Sequence, residues 1–198
     1  LMHTFQDRFI QEFFIENSYP SREVVREVYE FLRGIPDDPI EMTLEEIKEE
    51  LNLSIGSEGI STCENLLEKA GAIERLDSRQ NRAAIKIDSE LPTLVDYLPR
   101  EAKVQRRVLR LLEKRVGPMR GERVLFDPRR LAAEAEMKWE SVSRAIRQIT
   151  KIEGVDYVPP FRGKAVHVLT RDRKFSELPI DFEELERRKR AEYEKLSR

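Results

Sequence analysis

Two parts of the chain repeat one order of predicted elements, three short amphipathic helices followed by two short apolar strands. The first part has helical patterns over 22–34, 44–52 and 58–71, then strands that begin at Ile73 and Ala83. The second part has helical patterns over 100–117, 128–137 and 138–154, then strands over 155–158 and 165–169. Helices this short bury one apolar face each, so they have to pack against one another. The 198-residue chain is therefore expected to form two small units with modest cores.

Start signals stand at the boundaries of several of these helices. Ser21 and Thr43 are residue types that cap helix N-termini, and Glu46 completes a capping box with Thr43. Asp127 precedes Pro128, and proline is favoured at the first helical position because its N–H would have no partner there. These signals predict where the helices begin.

Residues typical of turns separate the two strands of each pair. The segment DSRQN (77–81) follows the first strand, and Phe161–Lys164 stands between the last two strands. Each pair is therefore predicted to form a β-hairpin. Three helices followed by a hairpin is the order of a winged helix-turn-helix. The expected fold is mainly α with small β-hairpins (α+β), in tandem winged helix-turn-helix domains with additional terminal helices.

Domain boundaries follow from the repeated order and from the segments outside it. We expect an N-terminal helical segment or linker over 1–20, a first winged helix over 21–90, a linker over 91–98, a second winged helix over 99–175 and a charged helix over 176–198. Asp181 is the predicted cap of that last helix, which reaches residue 198 without a Gly or Pro. This pattern indicates a fragment of a longer protein.

Charge is divided unevenly between the two halves of the chain. Residues 1–98 contain 10 Lys and Arg and 21 Asp and Glu, a net charge of −11. Residues 100–174 contain 20 basic and 10 acidic residues, a net charge of +10. The basic second copy is the better candidate for a nucleic-acid surface. In the acidic first copy, the third helix carries Glu58, Glu64 and Glu68, a face that a phosphate backbone would repel, so a protein-docking role is expected there.

Residues that could support catalysis are few. No GxxxxGK[ST] phosphate loop occurs, and the one cysteine, Cys63, lies between apolar positions where a small core residue is expected. His167 alternates with Val166 and Val168 in a predicted strand, so its side chain is expected to face solvent or DNA. No reaction and no cofactor are expected on this chain. No apolar run of about 18 residues and no secretory signal are present, which predicts no membrane partner and a cytoplasmic location. If the basic copy binds DNA, the protein is expected to associate with the nucleoid.

Candidate DNA-binding residues concentrate on the helix that begins at Lys138. Arg144, Arg147 and Lys151 follow i, i+3, i+7 spacing and share one face of that helix. Ser141 and Ser143 add hydroxyl donors for phosphate. The alternative interpretation is a solvated basic face that binds nothing.

The predicted hairpin tip supplies a second set of candidate contacts. Gly163 suits the positive φ angle of a tight turn, and Arg162 and Lys164 would bind phosphate. Phe161 would stack on an exposed base, or would instead fold back onto neighbouring side chains of the hairpin. Arg171, just after the last strand, completes the predicted contact set.

Several segments resemble the RecQ family of ATP-dependent DNA helicases. DRFIQEFFIENSYPSREVVREVYEFL resembles the stretch after the second motor lobe in a divergent subset of the family. LPTLVDYLPREAKVQRRVLRLLEK and DYVPPFRGKAVHVL resemble the winged-helix region, and IDFEELERRKRAEYEKL resembles the helix that leads into the zinc module. In better-known members the zinc module precedes a single winged helix, whereas here two winged helices would precede it.

The resemblance implies an accessory region that binds duplex or fork DNA, with roles in DNA repair and recombination. The motor that uses ATP and Mg²⁺, and the module that binds Zn²⁺, would lie outside this chain, and the motor lobes would be intramolecular partners. The hairpin with Phe161 and Arg162 would occupy the place of the pin that separates strands. The alternatives are a winged-helix scaffold like those of chromosome segregation complexes and a transcriptional regulator.

Overall fold

The computed structural model describes residues 5–77, 81–90, 93–161 and 163–198. Its helices are α1 (Phe5–Ser18), α2 (Arg22–Gly34), α3 (Leu44–Leu51), α4 (Ser57–Lys69), α5 (Lys103–Val116), α6 (Pro128–Ala135), α7 (Trp139–Ile149) and α8 (Phe182–Leu196). Its strands are β1 (Ile73–Asp77), β2 (Ala83–Ile87), β3 (Arg123–Phe126), β4 (Val155–Val158) and β5 (Lys164–Val168). About 54% of the described residues are helical and 13% are in strands of small antiparallel sheets, which confirms the α+β class.

The chain forms two compact units. The first combines Leu1–Asp77 with Lys164–Arg198, and the second spans Ser78–Gly163. In sequence the second unit is therefore inserted into the first, since the chain leaves the first unit after β1 and returns to it at β5. These units differ in extent from the expected domains over 21–90 and 99–175.

Strand pairing also differs from the prediction. β1 pairs with β5, with Ile73 opposite Val168 and Asp77 opposite Lys164. β2 is the central strand of a sheet in the order β3-β2-β4. Both predicted local hairpins, β1 with β2 and β4 with β5, are therefore wrong. The predicted turn residues 78–80 lie outside the described residues.

The error has a physical cause in how strands choose partners. Four of the five residues of β2 are buried, which suits a strand with neighbours on both edges and not one arm of an exposed hairpin. A turn-forming segment shows where the chain bends but does not specify which strand it pairs with afterwards. The strands are antiparallel to their neighbours both in the predicted hairpins and in the observed sheets. The local sequence therefore does not distinguish the predicted pairing from the observed one.

The first unit packs α2, α3 and α4 against the β1–β5 ribbon. Val28, Tyr29, Leu32 and Leu67 are fully buried in its core. The Tyr29 hydroxyl lies 2.8 Å from the carbonyl oxygen of Thr170 and 2.7 Å from that of Arg173. These hydrogen bonds hold the segment after β5 against α2.

The second unit packs α5, α6 and α7 against β2 and β3. Its core includes Ile85, Leu109, Leu112, Leu131 and Ile146, all fully buried. Because α7 presents its apolar side to this core, its other side faces outwards.

The predicted helix starts are confirmed. The Ser21 hydroxyl accepts a hydrogen bond from Val24 N at 3.3 Å, and Thr43 forms the expected capping box with Glu46. The carboxylates of Asp127 and Asp181 cap α6 and α8 in the same way. Short side chains that satisfy free N–H groups are local signals, which explains why sequence alone located them.

Two polar groups of α4 are buried in the first unit. Cys63 is fully buried, which confirms the expectation of a core residue, and burial raises the pKa of its thiol to about 12. Glu64 was expected on an exposed acidic face, but it is only 5% exposed. Glu68 forms an ion pair with Arg75 at 3.2 Å. The acidic face of α4 is therefore smaller than the sequence indicates.

Burial of Glu64 predicts a pH-dependent stability. Desolvation raises the pKa of its carboxyl to about 7, against the opposing attraction of Arg75. The folded state therefore holds a proton that the unfolded chain releases near pH 4.5. The stability that this proton contributes is fully present below pH 4.5 and is lost as the pH rises through 7. We expect the free energy of unfolding to fall by about 2 kcal/mol between pH 5 and pH 8.

Urea unfolding across this pH range tests the effect, with Glu64→Gln as the matched variant. The glutamine variant should lose this pH dependence and exceed the parent chain in stability at pH 8. Parallel pH profiles for the two proteins would show that Glu64 is not the titrating group.

Candidate nucleic-acid interface

A row of cations occupies the outward side of α7 and the turn after it. Arg144, Arg147 and Lys151 are all exposed. The opposite side of the helix carries Val142 and Ile146, which are fully buried in the core of the second unit. The predicted shared face of the three cations is therefore present. Such a face can approach a phosphate backbone without disturbing the core.

The described residues supply no opposite charge to these cations at ion-pair distance. In the part of the chain that the structure describes, no carboxylate forms an ion pair with Arg144, Arg147 or Lys151. The Lys151 ammonium donates to the Gln148 side-chain oxygen at 3.1 Å, a neutral partner. Their charge is therefore available to an external anion.

The other predicted residues of α7 contribute less. Lys138 is exposed at the N-cap position, and Ser141 and Ser143 are half-buried. Because each helical residue turns by about 100°, Ser141 lies near Arg144, three positions on, and Ser143 lies near Arg147, four positions on. The two serines therefore flank the cationic row on opposite sides.

The segment predicted to form a hairpin tip between β4 and β5 does not close a hairpin. Because β4 and β5 belong to different ribbons, residues 159–163 connect the two units in sequence instead of closing a hairpin. Phe161 is only 4% exposed, so its ring is not presented for stacking on a base. Gly163 has the expected positive φ of 74°. Lys164 is exposed at the start of β5, and Arg162 lies outside the described residues.

Arg171 has a structural role in the first unit. Its guanidinium donates to the carbonyl oxygens of Arg33, Ile35 and Asp37, with 3.2 Å to Arg33 and 2.9 Å to Asp37. These bonds occupy both terminal nitrogens. Arg171 therefore joins the end of α2 to the segment after β5, and its place in the predicted contact set has no geometric support.

His167 was expected to face solvent or DNA, and this expectation is wrong. The side chain is buried, and its Nδ1 lies 2.5 Å from a carboxylate oxygen of Asp38. Residues 165–168 of β5 are all buried, so neither face of this part of the strand meets solvent. The simple alternation rule applies only where one face of a strand meets solvent.

A groove in the second unit was not predicted from the sequence. It has a volume of about 880 Å³ and is lined by four arginines, one tryptophan, apolar residues and the polar side chains of Asn81 and Asp127. The arginines are Arg82, Arg115, Arg129 and Arg130, and the tryptophan is Trp139. Arg115 forms an ion pair with Glu134. Among the described residues, Arg82, Arg129 and Arg130 have no carboxylate partner. The pair of arginines after Pro128 and the single tryptophan of the chain were the available sequence signals.

Charge follows the division into units. Residues 78–163 contain 19 Lys and Arg and 12 Asp and Glu, a net charge of +7. The remaining residues contain 17 basic and 26 acidic residues, a net charge of −9. The cationic row and the arginine groove therefore belong to the basic unit.

No protein-family model, curated protein or solved structure matches the chain. Within the described ranges, no group of three or more His, Cys, Asp or Glu side chains is arranged to hold a metal ion. The helices of those ranges include none with the length and apolarity needed to cross a membrane.

Proposed function

We propose that the second unit binds DNA through the cationic row of α7. The observation that carries this proposal is the presence of three exposed cations, free of carboxylate partners in the described structure, on the outward side of α7 and the turn that follows it. An anionic polymer gains affinity by releasing counterions as such groups replace them at its phosphates. The net charge of +7 on this unit favours the same partner.

We also propose that the second unit is a winged helix with a rearranged strand order. The second unit has three helices and an antiparallel sheet in the order β3-β2-β4. This is the composition of a winged helix in which the last strand of the usual order, here β2, stands first in sequence. In that arrangement α7 is the recognition helix, which enters the major groove or lies along the backbone of a duplex.

We further propose that the chain is an accessory region of a RecQ-like helicase. The support is the sequence resemblance of the segments described above, and the ATP-driven motor and the zinc module would lie outside this chain. A DNA-binding role implies a cytoplasmic, nucleoid-associated location. The burial of Phe161 favours holding the duplex over splitting its strands with an aromatic pin.

Removal of the cationic row tests the DNA-binding proposal. We expect Arg144→Ala/Arg147→Ala/Lys151→Ala to weaken binding to a short duplex at least about tenfold at 0.1 M salt. The slope of log affinity against log salt should become shallower by about 2.7, since each phosphate contact contributes about 0.9. Fluorescence anisotropy of a labelled duplex at several salt concentrations measures both quantities.

A matched control removes the same charge from another helix of the same unit. Lys103, Arg110 and Lys114 are exposed on α5 and, within the described structure, have no carboxylate partner. Their triple alanine variant should bind nearly as well as the parent chain. Equal losses in the two variants would mean that net charge alone drives binding, and the assignment to α7 would then be wrong.

A protein-docking function for the first unit is the second candidate. Phe5 and Phe9 of α1 are 89% and 64% exposed, and Phe14 is 54% exposed. Together with the net charge of −9, this aromatic surface favours a protein partner over nucleic acid. The other alternative is a transcriptional regulator. A regulator that reads paired half-sites would form a dimer, so sedimentation of the chain as a monomer would argue against this alternative.

A further inference from the structure

We propose that the arginine groove of the second unit binds one nucleotide of a single DNA strand, with the phosphate held by Arg129 and Arg130 and the base placed against Trp139. The inference deepens the DNA-binding function proposed above and rests on it. It adds a second contact with a different substrate, since the α7 row would follow a duplex and the groove would take an unpaired nucleotide.

The phosphate part of the site rests on charge. Arg82, Arg129 and Arg130 line the groove, are exposed, and lack a carboxylate partner in the described structure. Asp127, the nearby acid, accepts a hydrogen bond from Arg129 N at 2.9 Å as the cap of α6. Guanidinium groups bind phosphate through paired N–H donors, and three of them outweigh the single carboxylate of Asp127.

The base part of the site rests on the apolar lining. Trp139 is half-exposed at the start of α7, and Leu125, Pro128 and Pro160 line the same groove. An indole ring offers a flat surface on which any base can stack, so no sequence preference is expected. Guanidinium groups beside an aromatic ring are the combination that single-strand sites use.

The shape of the groove favours an unpaired nucleotide over a duplex. Its volume of about 880 Å³ lies within the range of about 300–1,000 Å³ that is typical of small-ligand sites. A base inside a duplex is stacked and paired, so it cannot enter a concave site without leaving the helix. A phosphorylated peptide would need the arginines but would leave the indole and the proline rings without a matching surface.

The single tryptophan of the chain makes this site directly observable. Titration of the full chain with an oligothymidylate of about ten nucleotides should quench Trp139 emission and saturate, because a stacked base quenches indole fluorescence. The Arg129→Ala/Arg130→Ala variant should bind this probe at least tenfold more weakly. Both side chains are exposed, so their removal leaves the core intact.

Two control variants separate the groove from general electrostatics and from α7. Lys103→Ala/Lys114→Ala removes the same charge from α5 and should leave the quenching curve unchanged. Arg144→Ala/Arg147→Ala/Lys151→Ala should lose duplex affinity but retain the quenching by oligothymidylate. These two results together would support a distinct single-strand site.

Other outcomes would overturn the proposal. If labelled oligothymidylate binds the chain while Trp139 emission stays constant, the groove is not the site, although DNA binding through α7 stands. An abasic deoxyribose-phosphate oligomer that binds as tightly as oligothymidylate would exclude base stacking. A phosphoserine peptide that quenches Trp139 where oligothymidylate does not would assign the groove to a protein ligand. Failure of both duplex and single strand to bind would reject the proposed function as well.

Discussion

Replacement of Gly154 by alanine is expected to lower the free energy of unfolding by about 4 kcal/mol, because two separate costs add at this position. Gly154 has a φ angle of 84°, in the left-handed region where a side chain costs about 1–2 kcal/mol. A Cβ atom there would also lie 2.5 Å from the carbonyl oxygen of Asp88. That oxygen belongs to backbone, so it cannot rotate away as a flexible side chain could.

The local hydrogen bonding prevents an easy adjustment. Asp88 N donates to the Gly154 carbonyl oxygen at 2.7 Å, which fixes the two segments against each other at the ends of β2 and β4. A shift large enough to admit a methyl group would break this bond and disturb the adjacent Ile87–Val155 pair. Overpacking of this kind typically costs about 1–3 kcal/mol beyond the backbone strain.

Gly121 provides a matched control in the same unit. Its φ angle is 83°, but nothing lies within 4 Å of the position that a Cβ would take. Gly121→Ala should therefore lose only the backbone term, about 1–2 kcal/mol. Urea unfolding of both variants measures the difference, provided that the dependence on urea concentration stays the same. Similar losses at the two glycines would mean that the close approach to Asp88 contributes nothing.

Sequence patterns located the helices but not the strand pairing. A capping residue such as Thr43 or Asp127 acts on N–H groups two or three positions away, so its effect can be read from adjacent residues. The partner of β1 is β5, almost a hundred positions along the chain, and that choice depends on packing between distant segments. For this reason the predicted order of elements is confirmed, whereas the predicted hairpins are wrong.

In the candidate site too, features set by neighbouring residues were predicted and features set by distant segments were not. The spacing of Arg144, Arg147 and Lys151 on one helix was sufficient to predict their shared face. The groove could not be predicted in this way, because Arg82, Arg115 and Trp139 come from separate segments that only the fold brings together. Residues on strands were the least predictable, since burial on both faces removes the alternation that the prediction uses.

Asn17 is expected to be the residue of α1 whose replacement destabilises the first unit most. It is the buried residue of this helix, although its side chain is polar. Its Oδ1 accepts hydrogen bonds from Gly56 N and Gly59 N, both at 2.9 Å, and its Nδ2 donates to the Phe13 carbonyl oxygen at 2.7 Å. The N-cap of α4 is Gly56, which has no side chain, so Asn17 supplies the cap from another helix.

Asn17→Ala should therefore lower the free energy of unfolding by about 3 kcal/mol. Loss of a helix cap costs about 1 kcal/mol, and a donor left unsatisfied in a buried site costs about 1–3 kcal/mol. Gly56 N has Asn17 as its acceptor, whereas Gly59 N also donates to the Gly56 carbonyl oxygen at 2.9 Å. Most of the loss should thus arise at Gly56. Urea unfolding of the variant measures it.

Gly56→Ser provides the discriminating second change, because a serine there can cap α4 from the usual position. In the parent chain a Cβ on Gly56 would lie 3.2 Å from Asn17 Oδ1 and 3.0 Å from the Phe13 ring, so the substitution should give no gain. In the Asn17→Ala background the contact with Oδ1 is absent, and the Phe13 ring, which is 40% exposed, has room to shift. The serine should therefore recover about 1 kcal/mol of the lost stability. Equal effects of Gly56→Ser in both backgrounds would show that the two residues are not coupled, and the cap from α1 would have to be rejected.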